Sequence, residues 1–124
     1  MTLTTDILER AKLFWILETQ RIYFAEQLKM LKNSTTCTSH VFNRLTAFVD
    51  INGIVRVGGR LHHAQLPYTQ RHPAILPRSS HLTTLIIENA HERMFHGGTQ
   101  VTLAHIRQEY WIIGGRAPVK SHIL

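Results

Sequence analysis

Three glycine pairs, Gly58-Gly59, Gly97-Gly98 and Gly114-Gly115, cut the C-terminal two-thirds of this chain into short pieces. Adjacent glycines carry a large backbone-entropy cost inside a helix or strand, so each pair reads as an element boundary. The first ends a strand, the second stops a helix and the third breaks the chain once more. The first third has no such breaks. Residues 6–32 read as one amphipathic helix, with Asp6 as cap and Glu9 completing a capping-box pattern. Phe14, Leu17, Phe24, Leu28 and Leu31 form its apolar seam, interrupted by Arg21.

The polar run 33–43 has no apolar period and reads as a loop; Cys37 within it reads as an incidental thiol. Residues 45–60 alternate apolar and polar positions around Asn52-Gly53. That dipeptide between β-prone runs predicts a hairpin with both turn residues at positive φ. Pro67, Pro73 and Pro77 predict an extended 61–78, with Ala74-Ile75-Leu76 as a short strand. From Ser79 the period is helical again. Ser79 or Ser80 caps a helix carrying Leu82, Leu85, Ile86, Ala90 and Met94, and Gly97-Gly98 stops it. Thr99 caps a second helix with Val101, Leu103, Ile106 and Tyr110; Pro118 suits the first position of a third. The expected class is α+β: a long N-terminal helix, a small β-hairpin extension and an incomplete C-terminal bundle of two to three helices. The expected divisions are a helix (1–34), a linker (35–43), the hairpin with its proline-rich extension (44–78) and the bundle (79–124).

Charge is uneven. Residues 1–52 carry six basic and five acidic side chains, whereas 53–124 carry eight cations, seven of them Arg, against Glu88, Glu92 and Glu109. Arginine's planar fork suits phosphate, so a polyanion partner is expected, nucleic acid first; a merely solvated basic surface is the blander alternative. Charges at Arg10, Lys12, Glu18 and Arg21 break the most apolar stretch, which excludes a membrane helix and a secretory signal there and makes an intracellular, soluble chain the default expectation. A single cysteine excludes an internal disulfide and any Cys-rich metal cage.

Nine histidines raise the question of metal. His91 and His96 are five apart, which on a continuous helix sets them ~140° apart around the axis, too far to share an ion. If the helix ends near Met94, the two imidazoles can converge as half of a tetrahedral zinc site. Histidines that are simply exposed or hydrogen-bonded remain the commoner outcome for such a spacing. The adjacent pair His62-His63 reads as structural or exposed.

The stretch from Gly53-Ile-Val-Arg-Val-Gly-Gly-Arg-Leu61, through His72-Pro-Ala-Ile-Leu-Pro77 and Leu82-Thr-Thr-Leu-Ile-Ile87, to His91-x4-His96-Gly-Gly98, Thr102-Leu103, Arg107 and Tyr110-Trp111-Ile112 resembles the N-terminal zinc-binding region of integrases from BEL/Pao-type LTR retrotransposons. The resemblance implies a small helical module with a helix-turn-helix-like arrangement, zinc as cofactor in the parent protein, and DNA and other integrase chains as partners, in the nucleus or a cytoplasmic particle. It carries over His91 and His96 as ligands. The family's Cys-x2-Cys pair, expected roughly thirty residues downstream, is absent from these 124 residues; the expectation is a truncated, half-complete metal site and a 79–124 that packs poorly alone. Arg107, Arg116 and Lys120, then Arg56 and Arg60, are the candidate phosphate contacts. Catalysis is not expected, because strand transfer in that family belongs to a separate carboxylate-bearing domain. Two alternatives stay open: an oligomerisation element acting through the N-terminal helix, and a transposon relic without selected function.

Overall fold

A computed structural model describes residues 5–33, 40–58, 66–95 and 97–123, with side chains from Ile7 to Ser121 within those ranges. The Asp6 cap, Cys37, Arg60, His62, His63 and His96 lie outside the described residues or side chains. The class is α+β. The elements are α1 (Thr5–Tyr23), α2 (Ala25–Lys32), α3 (His40–Arg44), β1 (Phe48–Val49), β2 (Val55–Arg56), α4 (Tyr68–Arg71), β3 (Ala74–Leu76), α5 (His81–Arg93), α6 (Thr99–Ile106), β4 (Tyr110–Ile112) and α7 (Arg116–Ile123).

The four strands form one sheet in the order β1-β2-β3-β4, antiparallel except for the parallel pairing of β3 with β4. The hairpin and the C-terminal module thus share a sheet across the expected boundary at residue 78. The sequence pattern did not assign β4 to a strand. Its partner, with Ala74 opposite Tyr110 and Leu76 opposite Ile112, is distant in sequence, and parallel pairing leaves no turn signal. The hairpin turn also differs from the expectation. Asp50 pairs with Ile54 through a backbone bond of 2.9 Å, leaving a three-residue loop in which Gly53 alone has positive φ, 86°. Asp50 Oδ1 accepts from the amides of Asn52 (2.8 Å) and Ile54 (2.9 Å), which holds this loop, one residue longer than the two-residue Asn-Gly turn.

The N-terminal helix is broken at Phe24, whose φ of −123° and ψ of 30° end α1 and start α2. The expected seam is correspondingly split. Phe24 is buried and Leu17, Leu28 and Leu31 are half-buried, but Phe14 points outward, 56% exposed, because Ile16 and Gln20 occupy the inner face of α1. The extended segment before β3 contains the single turn α4, started by Pro67. Ser80 caps α5 as expected, its Oγ accepting from the Thr83 amide at 3.0 Å. Gly98, not Thr99, caps α6, and Pro118 occupies the third position of α7 rather than the first.

Side chains alternate across the sheet and define two cores. On one face Ile54, Ala74, Leu76, Tyr110 and Ile112 pack with Ile16, Ile87, Ala90, Leu103, Ile106 and Val119. On the other, Val55 and Ile75 pack with Phe24, Phe42 and Leu45. In the whole chain 79–124 does not pack alone: α1 and the sheet supply apolar partners that the short helices could not supply to one another.

One polar side chain sits between the layers. Gln20 is fully buried; its Nε2 donates to the carbonyls of Val55 (3.0 Å) and Ile75 (2.8 Å), and its Oε1 accepts from the Val55 amide (2.9 Å). Arg56 opposite Ala74 is the one paired position of β2 with β3. The next pair would be Val55 with Ile75, and there the glutamine amide takes the place of the ladder.

Candidate metal and nucleic-acid site

α5 stops where a convergent histidine pair requires. Met94 is its C-cap, Phe95 turns left-handed at φ 53°, and the Gly97 amide donates to the Met94 carbonyl at 2.9 Å. The helix does not run through the diglycine. A Cβ on Gly97 would lie 3.1 Å from the Met94 carbonyl oxygen, so glycine permits this close reversal. His91 sits half-buried in the last turn of α5; His96, beyond the reversal, is outside the described residues. A closed zinc site needs four nitrogen or sulfur ligands. Among the described residues no three His, Cys, Asp or Glu side chains come together, and the sole cysteine lies far off in sequence at position 37. The described residues therefore do not assemble a zinc cage.

The candidate cations fall into three situations. Arg116 and Lys120 are exposed on α7 and, four residues apart, share one side of it, while Val119 is fully buried. Beside them a recess of ≈ 360 Å³ is lined by Arg78, Ser79, Thr84, Pro118 and Ser121, among others. Arg78 was missed in the sequence; its signal was its place directly before the Ser79-Ser80 helix start. Arg107, the C-cap of α6, is exposed, and its guanidinium carbon stands 4.5 Å from the Trp111 ring centroid. This is a stacked cation–π contact on the second face of the sheet.

Arg56 is a correction. It is only 9% exposed, its Nε is 2.5 Å from Asp50 Oδ2, its Nη1 donates to the His72 carbonyl at 2.9 Å, and it lies 5.2 Å from the Tyr68 ring centroid. Its charge is neutralised inside the fold, so it is not an exposed phosphate contact. The reason is Asp50, whose Oδ1 is committed to the turn and whose Oδ2 faces β2. His72 completes the knot, its Nδ1 donating to the Val57 carbonyl at 2.9 Å with Phe48 and Tyr68 against its ring.

The opposite edge of the sheet carries a second ionic cluster. Lys12 of α1 reaches Glu109 at 2.5 Å and stands 5.8 Å from the Tyr110 ring centroid. Burial pushes the Tyr110 hydroxyl up to about 12. Burial alone would lower Lys12, but its hydrogen bond to Glu109 and the nearby charges outweigh it and hold the amine above its ordinary value. Among the described residues no helix is long and apolar enough to cross a membrane.

No curated protein and no solved structure matches this chain. One family does, and it covers the stretch that builds the capped helix α5, the diglycine reversal, α6, β4 and α7: residues 78–124 match the integrase zinc binding domain family.

Proposed function

We propose that this chain is a nucleic-acid-binding and assembly module of a BEL/Pao-type retrotransposon integrase, zinc-dependent in the parent protein, and that residues 78–124 hold duplex DNA by its phosphates. The observation that carries this is the concentration of exposed cations on the segment that matches the family. Arg78 lines a hydroxyl-rich recess against α7, the same helix exposes Arg116 and Lys120, and Glu109 is already paired with Lys12. Such contacts position a duplex without reading its sequence. The test is a salt series of duplex affinity. The expected log–log slope is steep, and Arg116→Ala and Lys120→Ala each flatten it by about one while weakening all sequences alike. A slope unmoved by either substitution overturns the proposal.

In this reading His91 and His96 contribute two imidazoles to zinc, and the remaining ligands come from outside these 124 residues. Calorimetric titration of this chain should then show no tight stoichiometric zinc site; a sub-micromolar one (roughly the affinity of a closed structural cage) overturns the shared-site arrangement.

A second reading rests on α1. Ile7, Leu8, Phe14, Trp15 and Ile22 are all more than 40% exposed, and positions 8, 15 and 22 repeat at seven-residue spacing. That stripe suits helix–helix association between copies. Sedimentation of Trp15→Glu against the parent chain tests it: the expected result is loss of a concentration-dependent dimer, and a parent chain that is monomeric at all concentrations removes this reading.

A further inference from the structure

The second face of the sheet contains an arginine-walled cavity that the family match does not account for. It measures ≈ 460 Å³, within the range of small-ligand sites, and lies between the end of α3, α4 and the α6–β4 junction. Arg44, Arg71 and Arg107 line it together with Trp111 and Gln70, and among the described residues no carboxylate does. Its remaining walls are apolar, Leu45 and Val57 among them. Three guanidiniums around one cavity repel each other, and the low-dielectric wall strengthens that repulsion. Moreover, Arg71 Nε is buried without a hydrogen-bond partner among the described residues. A buried donor left unsatisfied costs free energy that a bound acceptor would recover. Arg56 gives the contrast: it solves the same problem with Asp50, and among the described residues Arg71 has no such carboxylate.

We propose that this cavity binds one nucleoside phosphate unit, an unstacked nucleotide of a single-stranded DNA end. Arg71 and Arg44 take the phosphate, to which a guanidinium can present two parallel donors. The Arg107–Trp111 stack, with the guanidinium carbon 4.5 Å from the ring centroid, offers the base a flat π surface beside the apolar wall. The Gln70 amide supplies both a donor and an acceptor for a base edge. The Arg–Trp platform favours a nucleotide over a lipid headgroup or a phosphopeptide, since neither of the latter needs a planar stacking surface next to its anion site. The proposal deepens the DNA-binding reading but stands on other residues than Arg116 and Lys120.

The chain has two tryptophans, and Trp15 lies on α1 outside this cavity, so Trp15→Phe leaves Trp111 as the sole reporter. The full chain carrying that substitution is titrated with deoxyadenosine monophosphate, deoxyadenosine, inorganic phosphate and phosphotyrosine, following Trp111 fluorescence. The expected result is saturable quenching by the nucleotide, at least about tenfold tighter than by the nucleoside or by phosphate alone. Arg71→Met should abolish it. Arg44→Met, at an exposed position, should weaken it several-fold with an unchanged thermal midpoint, which keeps the test valid if Arg71→Met does not fold. Equal binding of nucleoside and nucleotide, equal binding of phosphate and nucleotide, tightest binding of phosphotyrosine, or no saturation each overturns the proposal. Nucleotide binding without salt-dependent duplex binding would instead refute the phosphate-contact role of α7 and leave the cavity standing; duplex binding without nucleotide binding does the reverse.

Discussion

The two faces of the sheet are covered in different ways. The first face is closed by α1, α5, α6 and α7, and Ile54, beside β2, and Ala74 and Leu76 of β3 are at most 1% exposed. The second is covered by α2 and α3 through Phe24 and Phe42, whose rings meet edge-on at 5.1 Å, and the cover stops short of Trp111, Val57 and Ile113. Arginine side chains and an open cavity take over where the helices end. The difference teaches that the segment matching the integrase family uses its own helices for one face only. The other face is covered by α2 and α3, and there a half-covered tryptophan and arginines with no carboxylate among the described lining residues leave room for a ligand.

If the first face carries the stability, the largest loss should come from the side chain that ties it to the strands. Gln20→Leu keeps the volume but orphans the Val55 amide and the Val55 and Ile75 carbonyls. At ~1–3 kcal/mol for each buried unsatisfied group, the expected loss is about 4 kcal/mol, read by urea unfolding. A loss below about 1 kcal/mol would mean that the strands close over the gap and complete their own ladder. Next in size is a matched pair of truncations. Leu76→Ala on the closed face should cost about 3 kcal/mol, and Ile113→Ala on the open face about 1 kcal/mol, because the half-buried side chain leaves a smaller cavity. Equal costs would erase the contrast between the faces.

Much of the closed face was legible locally. The Ser80 cap, the 74–76 strand, the hairpin and the stop of α5 near Met94 all follow from short patterns whose physics lies within a few residues. The break at Phe24 was not, because the backbone bonds from Phe24 to Gln20 and from Leu28 to Phe24, both 2.8 Å, carry the helical period across it. What was hidden depended on distant partners: Gln20 acts on Val55 and Ile75, β4 pairs with β3, and Arg56 is cancelled by Asp50. Charge counting treats all arginines alike. Only three-dimensional pairing separates Arg56 from Arg71. The histidine pair was legible as a motif, with the reversal it needs in place, although His96 itself lies outside the described residues.

The edge of the closed face also carries a pH dependence. Tyr110 has its pKa raised from 10.0 to about 12, so the fold favours the protonated phenol. That contribution is complete below pH 10 and is lost as pH rises from there through about 12. Lys12, also raised, acts in the same sense at the top of this window: its ammonium is held by Glu109, and the pair weakens once the amine loses its proton. Stability should therefore fall by about 2 kcal/mol between pH 9.5 and 11.5. Tyr110→Phe should flatten that fall, as read by denaturant midpoints alongside tyrosinate absorbance. A tyrosinate transition at the free-phenol value would show that water reaches the hydroxyl and that this edge is not closed.

The smallest effects lie at the two non-glycine residues that the described structure holds at positive φ, one on each side of the sheet. Thr46, at φ 51°, links α3 to β1 on the open side; Phe95, at φ 53°, links α5 to α6 on the closed side, and both are exposed. The left-handed region costs an L-residue ~1–2 kcal/mol, and a β-branched side chain is the worst placed there. Glycine removes that cost but adds roughly 0.5–1 kcal/mol of unfolded-state entropy. The net gain should be about 1 kcal/mol for Thr46→Gly and about half that for Phe95→Gly, measured as shifts in the urea midpoint at unchanged slope. Thr46 has a further constraint, since Gly58 packs so closely beneath it that a Cβ there would sit 2.5 Å from the Thr46 carbonyl oxygen. That contact is made by the carbonyl and survives the substitution, so the expected gain stands. If Thr46→Gly instead destabilises, the threonine methyl and hydroxyl are contributing to the cover of the open face, and that face is better sealed than the contrast between the two sides allows.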